Sequence, residues 1–355
     1  MRRFGIAIGL ICALCGCEDD LPKVTLISHM RVLGARTAVV GDEDRTTPRP
    51  GETARMTWTV AFTDVASSDE ELSSLFLSCT APERYTGNPV CQELIDLATG
   101  KRGTGFGFGA PAGCDTKPDS VQNVLGIQLV CVTGTPELDV KVPSNGKQPR
   151  LVQGIICRNG VPQFDLESPT GASCLKKDGV KDEDFESISV TGQVPLELKE
   201  DEQNHNPDLS KLEIRIAPEG GDLDDDNTIW KPVPTEDLPA LAQDCLAGDV
   251  IKTSDGHVRV IDIRPENVPT EAGESLVFST YATLGEMSRR FTVFDEELEQ
   301  EGEESSDLTW TLSEEQRDDL FDAPPTLVRF FITVSDERGG FAVTTRELCV
   351  TRLSD

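Results

Sequence analysis

Apolar and polar residues alternate along much of the chain, with the period of two that is typical of half-buried β-strands. In the segment KLEIRIAP, Leu212, Ile214 and Ile216 are predicted to face one side of a sheet, and Glu213 and Arg215 the other. Val, Ile, Thr and aromatic residues are concentrated in such segments, and Gly, Pro and Asn bound them. The pattern therefore predicts an all-β protein.

The clearest strand patterns fall into two groups along the chain. The first group comprises residues 52–62, 125–134 and 150–160. The second group comprises residues 211–218, 257–265, 274–283, 288–294, 326–336 and 341–353. The last two segments flank Asp336-Glu337-Arg338-Gly339-Gly340, whose glycines can adopt positive φ, so they are predicted to form a hairpin.

Helix is predicted only where the strand pattern lapses. Residues 312–321 are the best candidate, because Ser313 and Gln316 have the spacing of a capping box and Pro324 follows the segment.

A charged, strand-poor segment divides the chain. The length of 355 residues favours two domains. At KEDEQNHNPDLSK, residues 199–211, the apolar pattern gives way to charge, Asn and Pro, which predicts a linker or long turn. We therefore expect one domain at 31–200 and a second at 209–355.

The N-terminus has the build of an export signal. Arg2 and Arg3 precede an apolar run from Phe4 to Leu14, which is too short to span a bilayer. The next residues, Cys15-Gly16-Cys17, complete a sequence that resembles the lipobox of bacterial lipoproteins. The resemblance implies that residues 1–16 are a signal peptide, that Cys17 is lipidated, and that residues 17–30 are a lipid-anchored linker. An ordinary signal peptide with incidental cysteines is the alternative.

The charge of the chain excludes one class of partner. Removal of Arg2 and Arg3 with the leader leaves 31 basic against 63 acidic residues, a net charge of −32. Phosphate backbones attract basic faces, so nucleic acid is not expected as a partner. Anionic head groups would repel the chain as well, so membrane contact is expected through the lipid anchor alone. The lipobox resemblance implies a cell-envelope location, at the outer membrane.

Eight cysteines follow Cys17, and an even number in an exported chain predicts four disulfides. They are Cys79, Cys91, Cys114, Cys131, Cys157, Cys174, Cys245 and Cys349. Six precede the charged segment and two follow it, so we expect Cys245 to pair with Cys349. Among the first six, Cys91 with Cys114 is the expected pair. A thiol metal site is the alternative, but these eight cysteines include no C-x-x-C pair.

A second resemblance concerns the fold. The terminal hairpin resembles the last two strands of immunoglobulin-like domains in bacterial surface proteins. Together with the lipobox and the segment RVLGARTAVVGDEDRTTPRPGETARMTWTV, it makes the layout resemble envelope lipoproteins of the myxobacterial type. The resemblance implies two disulfide-stapled, immunoglobulin-like β-sandwich domains.

Acidic residues supply one candidate metal site. Asp222, Asp224 and Asp226 occupy alternate positions, as in a calcium loop, but Asn227 and Val233 stand where an EF-hand has Gly and Glu. A solvated acidic turn is the alternative, and specific calcium binding is expected to be weak or absent. A second acidic run, residues 294–307, carries eight acids and no base.

Catalytic motifs are missing from the sequence. It contains no G-x-S-x-G or H-E-x-x-H, and His29, His205 and His257 lie far apart along the chain. We therefore expect a non-catalytic binding or structural module without a cofactor, whose partner is an envelope protein or polysaccharide. The alternatives are a calcium-dependent adhesin or carbohydrate binder that uses the Asp222 turn, and a hydrolase with paired carboxylates.

Overall fold

The structure is a computed structural model that shows an all-β protein. It describes residues 25–63, 72–82, 89, 91, 93, 114, 121–124, 127–165, 168, 172–199, 203–232, 245, 258–264, 275–294, 308–313, 316, 326–336 and 338–350. These residues form eighteen strands and three short 3-10 helices. The strands build two antiparallel β-sandwiches, which confirms the predicted fold class.

The first sandwich has a three-stranded and a five-stranded sheet. Its strands are β1 (Arg31–Val39), β2 (Thr53–Ala61), β3 (Leu72–Thr80), β4 (Val121–Val124), β5 (Ile127–Thr133), β6 (Glu137–Lys141), β7 (Arg150–Arg158) and β10 (Glu186–Val194). One sheet has the order β1-β2-β6 and the other the order β10-β7-β3-β5-β4. A separate hairpin of β8 (Gly160–Phe164) and β9 (Ala172–Lys176) follows β7.

The second sandwich has two four-stranded sheets. Its strands are β11 (Glu213–Pro218), β12 (Val258–Arg264), β13 (Leu276–Ala282), β14 (Glu286–Met287), β15 (Phe291–Phe294), β16 (Leu308–Thr311), β17 (Thr326–Asp336) and β18 (Phe341–Val350). One sheet has the order β11-β12-β16-β14 and the other the order β15-β13-β17-β18.

Both sandwiches have the same connectivity. In each, the first two strands join a later strand in one sheet, β1-β2-β6 and β11-β12-β16. The other sheet in each is built around the third strand, β10-β7-β3-β5 and β18-β17-β13-β15. These are the A-B-E and G-F-C-C′ sheets of an immunoglobulin-like sandwich. We refer to the second of these as the GFCC′ sheet of each sandwich.

Each sandwich has an apolar core between its sheets. In the first sandwich Trp58 of β2 stacks on Phe76 of β3, with ring centroids 4.4 Å apart. In the second, Trp310 of β16 meets Phe330 of β17 edge to face at 5.5 Å. These contacts join one sheet to the other, so burial of the alternating apolar residues drives the stacking of the sheets.

The predicted terminal hairpin is confirmed. β17 and β18 pair from Thr326↔Val350 to Ser335↔Phe341, and Gly339 has a φ of +95°. A carboxylate oxygen of Asp336 accepts hydrogen bonds from the backbone N–H groups of Arg338 and Gly340. The predicted capping box is present too, because Ser313 and Gln316 exchange side-chain to backbone hydrogen bonds.

Residues 25–30, which precede β1, are part of the fold. Ile27 N donates to Ala282 O at 2.9 Å, and Ala282 N donates to Thr25 O at 3.0 Å. Both Ile27 and Met30 are buried. The segment thus leads into the first sandwich while it is hydrogen-bonded to β13 of the second.

Candidate functional site

The three disulfides of the first sandwich all attach outlying segments to its GFCC′ sheet. Each joins one cysteine on a central strand, β3, β5 or β7, to one outside those strands. The pairs are Cys79–Cys91, Cys114–Cys131 and Cys157–Cys174. The expected pair Cys91–Cys114 is wrong, because Cys91 bonds to Cys79 of β3 and Cys114 bonds to Cys131 of β5.

These disulfides lie in a second apolar core on the outer face of the same sheet. β3 contributes Leu75, Leu77 and Cys79 to this outer core, and Phe76 to the core between the sheets. β3 is therefore buried on both faces, as its burial pattern shows. The disulfides hold Cys91, Cys114 and the β8–β9 hairpin over an apolar face that would otherwise meet water.

The second sandwich has one disulfide of much longer span. Cys245 pairs with Cys349 of β18 at a sequence separation of 104 residues, and this is the expected pairing. Here too the bridge attaches an outlying cysteine to a strand of the GFCC′ sheet. In the described residues all eight cysteines are disulfide-bonded.

The three aspartates of the candidate calcium loop, Asp222, Asp224 and Asp226, lie in a turn after β11. Asp222 accepts a hydrogen bond from the backbone N–H of Asp224, and Asp226 begins a 3-10 helix that Asp225 caps through Asn227 N. The turn is thus shaped by its own side chains.

Two arginines donate hydrogen bonds to this turn. Arg264 donates to Asp224 at 2.8 Å and to Asp262 at 2.6 Å, and Arg215 donates to the carbonyl of Leu223 at 2.8 Å. The hydrogen bond from Arg264 lowers the pKa of Asp224. Arg215 is only 8% exposed, although it is a charged residue predicted to face the side of the sheet opposite Ile214 and Ile216. The turn folds over it, and the backbone of Ile229 pairs with that of Arg215.

The turn does not present three free carboxylates to a cation. Arg264 already occupies Asp224, and within the part of the chain that the structure describes no group of three His, Cys, Asp or Glu residues could hold a metal ion. An arginine in contact with the carboxylate repels a divalent cation at the same place.

The two sandwiches meet in an interface that we call the joint. Its apolar part is a cluster of Ile27, Leu33, Ala61, Tyr281 and Phe331, to which both sandwiches contribute. The guanidinium of Arg31 lies 4.6 Å from the ring centroid of Tyr281, an attractive cation–π arrangement. Burial of apolar and aromatic surface therefore holds the sandwiches together.

The polar part of the joint is the strap, residues 203–206, which the sequence assigned to a linker. Asn204 is fully buried and joins both sandwiches: its carbonyl accepts from Thr46 N, and its side chain donates to Asp336. Asn206 does the same, since its side chain donates to Thr37 O and accepts from Phe341 N. Each asparagine therefore links the first sandwich to the hairpin of the second.

Close approach at the joint depends on two glycines. A Cβ atom added to Gly34 of β1 would lie 2.2 Å from the ring of Phe341, and one added to Gly340 would lie 2.7 Å from His205 O. Real Cβ atoms do not approach other atoms this closely, so side chains at these positions would push the sandwiches apart.

A buried ion network supports the strap from the first sandwich. Arg45, 6% exposed, contacts both oxygens of Glu52 at 2.9 Å and Glu197 at 3.3 Å. Arg49 holds the other oxygen of Glu197 at 2.8 Å. The hydrogen bond from Arg45 lowers the pKa of Glu52. The network fixes the chain between β10 and the strap against the β1–β2 connection.

The outer face of the second GFCC′ sheet contains a buried acid. Glu347 of β18 lies opposite Arg329 of β17, with Arg329 Nε 3.5 Å from Glu347 Oε1. Its side chain is 1% exposed, and neither carboxylate oxygen accepts a hydrogen bond in the structure. Burial raises the pKa of Glu347 to about 7, against the opposing effect of Arg329 and Arg346.

The remaining predicted positions are distributed as follows. Cys17 and His257 lie outside the described residues. His29 is largely exposed, 3.7 Å from Glu186, and His205 is in the strap, 3.0 Å from Gln203. In the described part of the chain no helix is long and apolar enough to cross a membrane.

The joint was missed by sequence reasoning, although one signal was available. The strap carries two asparagines, Asn204 and Asn206, inside a run of charged residues. Asparagine side chains can donate and accept at once, which suits a position that must bind backbone on two sides. The joint therefore has a structural role, because its asparagines form hydrogen bonds to both sandwiches.

Comparisons with known proteins assign no family to the chain. No protein-family model and no curated protein matches it. Among solved structures it is similar to Escherichia coli alpha-2-macroglobulin activated by porcine elastase, at 12% identity and a TM-score of 0.20, over 90% of this chain and 22% of that chain. The chain thus spans about a fifth of the length of that protein, and a likeness this distant carries no argument about function.

Proposed function

We propose that the chain is an exported, lipid-anchored module of the cell envelope, in which the two sandwiches act together as a non-catalytic binding or structural unit. The lipobox-like sequence around Cys17 motivates the anchor. Disulfides in both sandwiches support export, because they persist in oxidising compartments.

The observation that carries the proposal is the short path from Cys17 to the joint. Thr25 is hydrogen-bonded to Ala282 of β13. Eight Cα steps separate Cys17 from Thr25, and a fully extended chain covers at most about 3.6 Å per residue, or about 29 Å in all. A lipid at Cys17 would therefore hold the joint close to the membrane, with both sandwiches within reach of an envelope partner.

The alternatives receive less support from the structure. A calcium-dependent adhesin would need the carboxylate of Asp224, which Arg264 occupies. A carbohydrate binder commonly stacks sugars on exposed aromatic rings, but the three tryptophans of the chain, Trp58, Trp230 and Trp310, are all buried.

Intact mass of the native protein tests the anchor. We expect a chain that begins at Cys17 and carries a diacylglyceryl group and an acyl group, recovered with the membrane fraction. Cys17→Ser should abolish both the added mass and membrane recovery. Cys15→Ala is the matched control, because a small residue at that place preserves the lipobox pattern and should leave lipidation intact. An unmodified mass, or a different first residue, would contradict the proposal.

A further inference from the structure

One buried arginine of the second sandwich differs from the others in its contacts. The described part of the chain contains four buried arginines, Arg45, Arg215, Arg259 and Arg346. Arg45 and Arg215 form ion pairs with glutamates. Arg346 donates to the carbonyl of Trp230 at 2.6 Å. Within the same described residues, Arg259 forms neither a hydrogen bond nor an ion pair.

Arg259 lies on the inner face of the sheet β11-β12-β16-β14, near one end of that sheet. It is on β12, in register with Pro218 of β11 and Trp310 of β16. Side chains alternate along a strand, so Arg259 shares its face with Ile261, which is in the core between the sheets. Met287 of β14 follows Trp310 in the same row. A charged group thus stands where the apolar core would continue.

Burial of this charge is unfavourable, and no described side chain offsets it. Arg259 is 4% exposed. Burial lowers the pKa of its guanidinium, and no acid among the described residues raises that pKa again. An arginine nevertheless stays protonated near neutral pH, because its ordinary pKa is so high. A buried charge without a counter-charge lowers stability, and such departures from the rules of stability are concentrated at functional sites.

We propose that Arg259 binds the carboxylate of a ligand that is not part of this chain. One carboxylate supplies one negative charge, so the pair is neutral overall. The planar guanidinium matches a carboxylate through two parallel N–H···O hydrogen bonds. A phosphate dianion would leave an excess negative charge in the same apolar surroundings, which is unfavourable. A monocarboxylate is therefore the ligand class that fits this position.

The neighbours of Arg259 in its row differ in exposure. Trp310 is fully buried, and its indole Nε1 donates to Leu284 O at 2.8 Å, so it does not compete for an anion. Pro218, on the other side, is exposed. A carboxylate can therefore reach the guanidinium from the edge at β11. The buried side of the row keeps water away from the ion pair, and a low local dielectric strengthens its hydrogen bonds.

The site is independent of the lipid anchor proposed at Cys17. It gives the binding module a ligand class, a molecule that bears a carboxylate, whether or not the chain is lipidated. The lipidation experiment and the binding experiment therefore fail or succeed separately.

Thermal melting and calorimetric titration of the oxidised full-length protein, at fixed ionic strength, test the proposal. Sodium acetate in place of sodium chloride should raise the melting temperature of wild type, and phosphate should raise it less. Acetate should bind saturably, and Arg259→Met should weaken this binding by about tenfold or more, because a charge-assisted hydrogen-bonded pair is lost. In chloride Arg259→Met should melt above wild type, since it removes an uncompensated buried charge and keeps an unbranched side chain.

Arg215→Met is the matched control, because Arg215 is buried on the same sheet but is paired with Glu213. It should lose stability in either salt and keep the response to acetate. Arg259→Lys retains the charge without the planar fork, so it should bind acetate more weakly than wild type. The proposal is wrong if acetate stabilises wild type and Arg259→Met equally, if it stabilises neither, or if Arg259→Met loses stability in chloride as Arg215→Met does.

Discussion

The two sandwiches share one connectivity but differ on the outer face of the GFCC′ sheet. In the first sandwich this face is apolar, covered by segments that three disulfides attach, with sequence separations of 12, 17 and 17 residues. In the second it contains the buried pair of Arg329 and Glu347, and one disulfide with a separation of 104 residues. The comparison shows that one fold can be stabilised by several disulfides of short sequence separation or by one disulfide of long separation.

The disulfides are placed differently from those of antibody domains. Antibody domains join their two sheets by a disulfide through the core. Here every bridge attaches to the outer face of the GFCC′ sheet, on β3, β5, β7 or β18. Apolar burial therefore holds the two sheets of each sandwich together, and the disulfides attach residues to the outer face of the GFCC′ sheet.

The largest expected effect distinguishes the long bridge from the local ones. In the chain-entropy model, replacing both Cys245 and Cys349 by Ser should cost about 4.7 kcal/mol of unfolding free energy, because a loop of 104 residues is no longer closed. Replacing both Cys79 and Cys91 opens a loop of 12 residues and should cost about 3 kcal/mol. Denaturant unfolding of the two double variants measures the difference.

Equal losses, or a larger loss from the local pair, would show that covering the apolar outer face of the first sandwich outweighs loop entropy. Burial of that face, and not the length of the closed loop, would then decide how much each disulfide stabilises its sandwich.

The next effect concerns two glutamates, one in each sandwich, whose contributions to the unfolding free energy depend on pH in opposite directions. Burial raises the pKa of Glu347 from 4.5 to about 7, so its protonated form is favoured in the folded state. The stability this contributes is present below pH 4.5 and is lost as the pH rises to 7. Glu347→Gln should therefore gain stability over wild type at pH 8, by at most about 3.5 kcal/mol at 1.4 kcal/mol per pKa unit.

Glu52 of the first sandwich is the control with the opposite sign. Arg45 lowers its pKa, so the stability it contributes is present above the ordinary pKa of a glutamate and is lost as the pH falls below it. Glu52→Gln should be less stable than wild type at neutral pH, and the difference should shrink in acid. Denaturant midpoints from pH 8 down to about pH 3 report both variants. If Glu347→Gln lost stability at pH 8, its pairing with Arg329 would outweigh its burial.

The smallest effect is expected from calcium. Because Arg264 occupies Asp224, melting curves with millimolar calcium and with chelator should coincide at matched ionic strength. Arg264→Gln frees the carboxylate and serves as the comparison variant. A rise in melting temperature of wild type that Asp224→Ala abolishes and magnesium does not reproduce would favour the adhesin alternative.

The sequence predicted strands that alternation, Val and Ile, or turn glycines mark, among them β7, which is buried on both faces. β11 and the β17–β18 hairpin were predicted because alternation or turn glycines mark them. β3, by contrast, reads LSSLFLSCT, which has neither the alternation of a half-buried strand nor the Val and Ile of β7. Its position depends on an outer core that is assembled by segments distant in sequence.

The disulfides and the joint could be predicted only in part. The division of the cysteines at the charged segment gave the pair Cys245–Cys349, because each sandwich closes its own bridges. Connectivity among six cysteines does not follow from spacing, which is why Cys91–Cys114 was wrong. The clamp of Arg264 on Asp224 joins residues 40 positions apart, a distance over which local pattern carries no information.

The joint makes the two sandwiches one unit. Asn204 and Asn206 bond to both sandwiches, and the fit of Phe341 against β1 requires Gly34. Gly34→Val would force the ring of Phe341 away and separate the sandwiches. Phe341→Ala, combined with Gly34→Val, removes the clash and is the matched control.

Scanning calorimetry of the oxidised chain shows whether the two sandwiches unfold as one unit. We expect wild type to unfold in one transition, with equal calorimetric and van't Hoff enthalpies, because neither sandwich melts while the joint holds. Gly34→Val should split the trace into two transitions, and the double variant should bring them closer together. Two separate transitions in wild type, or a trace that Gly34→Val leaves unchanged, would contradict the account.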